Sequence, residues 1–176
     1  MRILIVTDAW SPQVNGVVRT LNALIGELRA KGHDVRTINT EGRPSRPLPL
    51  YREITLTSTS VATMRAEISA IAPDVIHIAT EGPLGWTARR VCLRRGRSFT
   101  TSYHTRFPEY LAARAPVPQA LSYAFLRRFH NAGAGIMVST ATLETELRGR
   151  GFHNIMRWSR GVDAELDRAV VAPAPP

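Results

Sequence analysis

Several things are scarce in this sequence. Cys92 is the only cysteine and Lys31 the only lysine. A single cysteine excludes a disulfide framework and a cysteine-based metal site. Cys92 stands near Ala88 and Val91 on a predicted helix, which suits a small buried apolar residue better than a nucleophile. No His/Asp/Glu cluster has metal-ligand spacing. No apolar run approaches the ~20 residues of a membrane span. The first apolar run, residues 3–6, is followed at once by Asp8, which is not the pattern of a signal peptide, so the expected location is cytoplasmic. No Gly-x-Gly-x-x-Gly follows that run, which weighs against a dinucleotide-dependent oxidoreductase. A Walker loop and a Gly-x-Ser-x-Gly elbow are missing too.

The chain has 176 residues, enough for one domain, or one plus a tail. That length accommodates a six- or seven-stranded sheet covered by helices. The formal charge is +9, nearly all from arginine. Base composition gives such a bias, and so does attraction to an anionic partner such as a nucleotide sugar or an acidic lipid. No nucleic-acid motif is interleaved with the arginines, so nucleic acid is not an expected partner.

Strand and helix patterns alternate along the chain. Residues 2–7 form a strand-length apolar run, 8–16 a polar loop ending in Asn15-Gly16, and 17–30 a helix with Val18, Leu21, Leu24, Ile25 and Leu28 at helical spacing. Further strands are expected at 35–40, 51–57, 75–79, 98–103, 135–138 and 152–158. Helices are expected at 61–72, 84–95, 108–114, 119–131 and 140–150, the last with Thr140 as a hydroxyl cap. Residues 41–50, with Pro44, Pro47 and Pro49, read as an irregular connection. Residues 164–176 read as an Ala/Pro-rich tail. The alternation predicts a doubly wound, Rossmann-like α/β domain over 1–163, with about seven mainly parallel strands and residues 75–79 at the centre.

Loops at the carboxyl edge of such a sheet are where ligands bind. Three of them converge there: 8–16, 80–83 and 103–106. Asn15-Gly16 opens a helix, where backbone N–H groups and the helix dipole favour phosphate, and Gly16 permits φ > 0 and close approach. Asp8, Trp10, Glu81, Tyr103, Thr105 and Arg106 are placed with them in an acceptor or sugar cleft. His104 is either a histidine satisfied at a strand end or a hydrogen-bonding group or general base for a sugar hydroxyl. Glu81 either fixes the Gly82-Pro83 turn or faces the ligand. Trp10 is either loop packing or an aromatic platform. Between 110 and 128 the rhythm is interrupted. There Leu121, Phe125 and Phe129 follow helical spacing beside Arg114, Arg127 and Arg128. A basic helix with an apolar stripe either packs on the domain or touches an anionic membrane surface, with Arg127 and Arg128 as the contact.

Val6-Thr7-Asp8-Ala9-Trp10-Ser11-Pro12-Gln13-Val14-Asn15-Gly16-Val17 resembles the opening of the retaining GT-B glycosyltransferases of family 4. So do Lys31-Gly32-His33-Asp34-Val35, Asp74-Val75-Ile76-His77-Ile78 and Thr80-Glu81-Gly82-Pro83-Leu84-Gly85. The stretch from Ser102 to Tyr110 resembles the family's histidine loop, and Trp158-Ser159-Arg160-Gly161-Val162-Asp163 the end of its N-terminal domain. The subgroup it most resembles contains mannosyl- and sulfoquinovosyl-type transferases that act on lipids.

The resemblance implies the N-terminal, acceptor-side half of a GT-B fold. Gly16 would place its N–H near the donor phosphate, and His104 would hydrogen-bond the transferred sugar as the catalytic residue. Arg160, Gly161 and Asp163 would form the interdomain hinge. It implies a nucleotide sugar as donor substrate, a lipid or glycan acceptor, no cofactor and no required metal. The family continues past Asp163 into a donor-binding domain with a Glu-x7-Glu motif, and no two glutamates here are eight apart. The expectation is that this C-terminal domain is absent, either separately encoded or lost, and that the chain alone is inactive. The alternative is a non-catalytic module that binds sugars or anionic lipid.

Overall fold

Leu4 and Val6 pack on one side of the first strand and Ile5 on the other, and all three are buried. A strand covered on both faces is the mark of a parallel sheet. The computed structural model describes residues 1–48, 51–104, 106–112 and 117–158. Thr105, Arg114, Arg160, Gly161, Asp163 and the 164–176 stretch lie outside the described residues.

The chain runs β1 (Arg2–Val6), α1 (Gly16–Ala30), β2 (Asp34–Ile38), β3 (Ser45–Leu48), β4 (Tyr51–Thr57) and α2 (Val61–Ile71). It continues β5 (Val75–Ile78), α3 (Pro83–Arg94), β6 (Thr100–Ser102), α4 (Phe107–Ala112), α5 (Gln119–His130), β7 (Gly135–Val138), α6 (Ala141–Gly149) and β8 (Ile155–Arg157). Six strands form one sheet in the order β2-β1-β5-β6-β7-β8, and every pairing in it is parallel. The Rossmann-like expectation holds, with β5 in the interior of the sheet. Helices start and stop where their caps dictate. Asn15, Ser60 and Thr140 cap α1, α2 and α6 with side-chain oxygens. Gly32, at φ +81°, takes the left-handed turn after α1.

The strand count differs from expectation. Residues 51–57 do form a strand, but outside the main sheet, paired antiparallel with β3 in a two-stranded ribbon. Residues 41–50, expected to be irregular, supply that partner. Pro47 has no N–H to donate, which suits the edge of a small ribbon and not the interior of a sheet.

The crossovers distribute the helices unequally. Met64 and Ile68 of α2, Leu84, Ala88 and Val91 of α3, and Phe129 of α5 cover the Leu4/Val6/Ile76/Ile78 face. Leu126 of α5 and Leu147 of α6 continue that layer over Ile136 and Val138. On the opposite face, Leu21 and Ile25 of α1 cover Ile5 and Val35. Beyond α1 that face is open at Val75, which is 40% exposed. The chain leaves β1 for β2 on one side and returns to β5 on the other. The topological switch point therefore lies between β1 and β5, where open α/β sheets present their crevice.

Candidate functional site

The loops that follow β1 and β5 are locked to each other at this switch point. The N–H of Asp8 donates to Thr80 Oγ1 at 2.7 Å, and the Thr80 hydroxyl donates to Asp8 Oδ2 at 3.0 Å. The N–H groups of Leu84 and Gly85 donate to Asp8 Oδ1 and Oδ2 at 2.9 and 3.2 Å. Gly82 is the N-cap residue of α3 and has no side chain to cap with, so Asp8 caps that helix from 76 residues away. Burial nevertheless dominates these hydrogen bonds and pushes the Asp8 carboxyl up to about 6. Its atoms are thus spent on joining two loops.

A cleft of about 680 Å³ opens above this clamp. That volume is within the range of small-molecule sites. Asn15, Gly16, Thr80, Glu81 and His104 are among the residues that line it. Asn15 Oδ1 accepts from the N–H groups of Val17 and Val18, both at 3.0 Å, which aims the first turn of α1 at the cleft. Gly16, the first residue of α1, has an ordinary φ, and a Cβ built there meets nothing within 4 Å. The freedom to adopt φ > 0 that Gly16 offers is therefore not used. On the α1 face of the sheet His77 bonds Thr100 Oγ1 at 2.9 Å and Ser102 Oγ at 3.0 Å. Burial, with a smaller contribution from His104, lowers its pKa to about 4.

The same cleft is lined by the apolar side chains of Leu56, Trp86, Phe107, Phe125 and Leu126. Trp86 of α3 lies 4.7 Å from the Phe125 ring and 5.1 Å from that of Phe129. The Arg89 guanidinium sits 5.1 Å above the Trp86 ring. The Trp86 indole nitrogen is buried without a hydrogen-bond partner among the described residues.

Asp8, Asn15, Gly16, Glu81 and His104 are thus brought together. Three residues placed in the cleft from sequence lie elsewhere. Trp10 packs beside the α1 core and its indole N–H reaches Glu41 at 3.3 Å. Tyr103 is 2% exposed, in the core with Tyr123 and Phe152, because it shares the face of β6 that the helices cover. Arg106 pairs with Glu146 of α6 at 2.8 Å. On α5 the expected single stripe is divided. Leu126 and Phe129 are buried, while Leu121 and Phe125 are 64% and 52% exposed. Arg127 donates to the Arg150 carbonyl at 2.9 Å, and the Arg128 carbonyl accepts from Arg89. The aromatic platform missed in the sequence is Trp86. Its position three residues after Pro83, on the first turn of a helix that starts at an edge loop, was the available signal. His130, which bonds Glu81 at 3.0 Å, carried no local signal at all. Among the described residues no group of three His, Cys, Asp or Glu side chains is arranged to hold a metal. Nor is any helix long and apolar enough to cross a membrane.

Comparison with known proteins gives this geometry a family. The chain is 27% identical to a GDP-mannose-dependent alpha-mannosyltransferase of Mycobacterium tuberculosis, over 94% of its own length and 48% of that protein's. It is 25% identical to a sulfoquinovosyl transferase of Arabidopsis thaliana, over 86% of its length and 33% of that protein's. The chain thus spans about half, or less, of the relatives it matches. Its fold is that of part of the sucrose-phosphate synthase of Thermosynechococcus elongatus, with a TM-score of 0.68 at 15% identity, covering 94% of this chain and 49% of that one. Residues 14–166 match the profile of Glycosyltransferase Family 4, and the chain belongs to that family.

Proposed function

We propose that this chain is the acceptor-side domain of a retaining hexosyltransferase, using a nucleotide sugar as donor and a lipid or glycolipid as acceptor. The observation that carries the reading is the mixed lining of one cleft: the N-terminus of α1, Glu81 and His104 share it with Trp86, Phe107 and Phe125. The start of α1 suits a donor phosphate, because the helix dipole favours an anion there and the Gly16 backbone can be approached closely; the Val17 and Val18 N–H groups are held by the Asn15 cap. His104, within the same cleft, hydrogen-bonds the transferred sugar. The apolar lining suits the non-sugar part of a lipid acceptor. The named relatives, a mannosyltransferase that depends on GDP-mannose and a sulfoquinovosyl transferase, support this substrate class.

The half-length match to the relatives supports a donor held mainly by a second domain, and residues 1–176 by themselves are not expected to turn over. The reaction uses no resident metal, and a chelator leaves the rate of the reconstituted enzyme unchanged. Leu121 and Phe125 are exposed beside the cleft on a helix whose last turn carries Arg127 and Arg128. Together with the +9 charge they seat the domain on the anionic cytoplasmic face of a membrane, so that the cleft opens toward its acceptor. Hexosyl transfer by the chain mixed with a donor domain tests the reading. Sugar or anionic-lipid binding that never becomes transfer with any donor domain would favour the non-catalytic module.

A further inference from the structure

Glu81 is held from behind. Its Oε1 lies 3.0 Å from His130 Nε2, and His130 Nδ1 lies 2.9 Å from Thr101 Oγ1. His130 and Thr101 are both fully buried, whereas the Glu81 side chain keeps 24% exposure and lines the cleft. The three residues come from the end of α5, from β6 and from the loop after β5. An ionised carboxylate can only accept, so Nε2 carries a proton. In the neutral ring Nδ1 then accepts from the Thr101 hydroxyl, which anchors the ring to the sheet. The ring plane is set as well, with Phe129, Tyr103 and Phe152 at 5.0, 5.6 and 6.1 Å.

A glutamate at a cleft wall ordinarily loses side-chain freedom when it binds, which weakens the complex. One already held by a buried donor does not. We propose that His130 is a positioning residue. It orients the Glu81 carboxylate to accept hydrogen bonds from the hydroxyls of a hexose in the cleft. The inference rests on the reading that this cleft receives a sugar. His130 does not touch the sugar and acts through Glu81 alone.

The test uses the full chain, labelled with ¹⁵N, and methyl α-D-mannopyranoside as probe. Ring ¹⁵N shifts report the His130 tautomer, and the Gly82 amide reports binding. The expected tautomer is Nε2–H, and Thr101→Val, which keeps the shape but removes the hydroxyl, loosens the ring from the sheet. His130→Leu weakens probe binding roughly tenfold, the scale of a hydrogen bond to a charged group. His130→Gln, whose amide N–H can still reach Glu81, restores most of that loss although it is no more stable. In a Glu81→Ala background His130→Leu has no further effect. If His130→Leu does not fold, Thr101→Val carries the same comparison with a smaller loss. A wild-type chain that does not bind the probe overturns both this inference and the sugar-cleft reading. Wild-type binding that survives His130→Leu or Thr101→Val overturns the positioning role alone. So does an Nδ1–H tautomer, an effect additive with Glu81→Ala, or a loss that tracks melting temperature equally in the Leu and Gln variants.

Discussion

The Asp8 carboxylate occupies the space that a side chain at Gly82 would need: a Cβ there would lie 2.3 Å from Asp8 Cγ. The contact couples the loops after β1 and β5, because the same carboxylate caps α3. Gly82→Ala forces the two apart. It should destabilise the fold by about 1–3 kcal/mol, as overpacking does, and more if the cap is lost with it. Urea unfolding measures this, and a change below about 0.5 kcal/mol would show that the loops give way without strain.

The pH dependence has two opposing parts. Burial raises the Asp8 carboxyl from 3.8 to about 6, so between those values the folded state binds more protons than the unfolded. The stability from Asp8 is fully present below pH 3.8 and falls as pH rises to about 6. His77 is lowered from 6.5 to about 4, so there the unfolded state binds more protons. Its contribution is complete above pH 6.5 and falls as pH drops toward 4. The two partly cancel in the wild-type profile. They separate in difference curves: stability relative to Asp8→Asn should fall from pH 4 to 6, and relative to His77→Gln it should rise over the same range. Flat curves would remove the corresponding group from the account.

Much of this architecture is legible in the residues. The 3.6-residue spacing of Val18, Leu21 and Ile25 and the continuous apolar run at 75–79 place α1 and β5 correctly. The loops carrying Asp8, Asn15-Gly16, Glu81 and His104 meet because parallel topology leaves them no other edge. Long-range pairing is what the sequence conceals. Nothing local says that residues 45–48 pair with 51–57 outside the sheet, since a Pro-rich stretch reads as loop until its partner is known. The strand pattern ends at Tyr103 without showing which way that ring turns, and the period of two turns it into the core. Trp86 and Phe125 are 39 residues apart and meet only through helix packing.

Gly16 separates fold from ligand. A side chain there meets no protein atom within 4 Å. Gly16→Val should therefore shift stability by less than about 1 kcal/mol. In the reconstituted enzyme it should weaken nucleotide-sugar affinity, because the branched Cβ crowds the phosphate at the helix start. Thermal melting and a binding titration check both halves, and unchanged affinity in a folded variant removes Gly16 from the donor site.

The membrane contact is testable through its apolar part. Arg127 also braces the Arg150 carbonyl, so Arg127→Glu confounds charge with stability. Phe125 packs on Trp86 in the cleft, whereas Leu121→Ser changes a side chain that is 64% exposed and does not line it. We expect sedimentation with anionic and not neutral vesicles, weakening with salt as exposed charges are screened. Both Leu121→Ser and Arg128→Glu should weaken it. Binding that is indifferent to lipid charge or to these changes assigns the contact elsewhere.

The most direct measurement is hexosyl transfer from a nucleotide sugar to a lipid acceptor by the chain alone, by the chain with a family donor domain, and by the same pair carrying His104→Ala. The account predicts no turnover by the chain alone and transfer by the pair. In the variant pair it predicts a loss of roughly 10²-fold or more, the scale of a positioned proton-transfer group. Robust transfer by the isolated chain, or transfer by the pair that does not depend on His104, would contradict it.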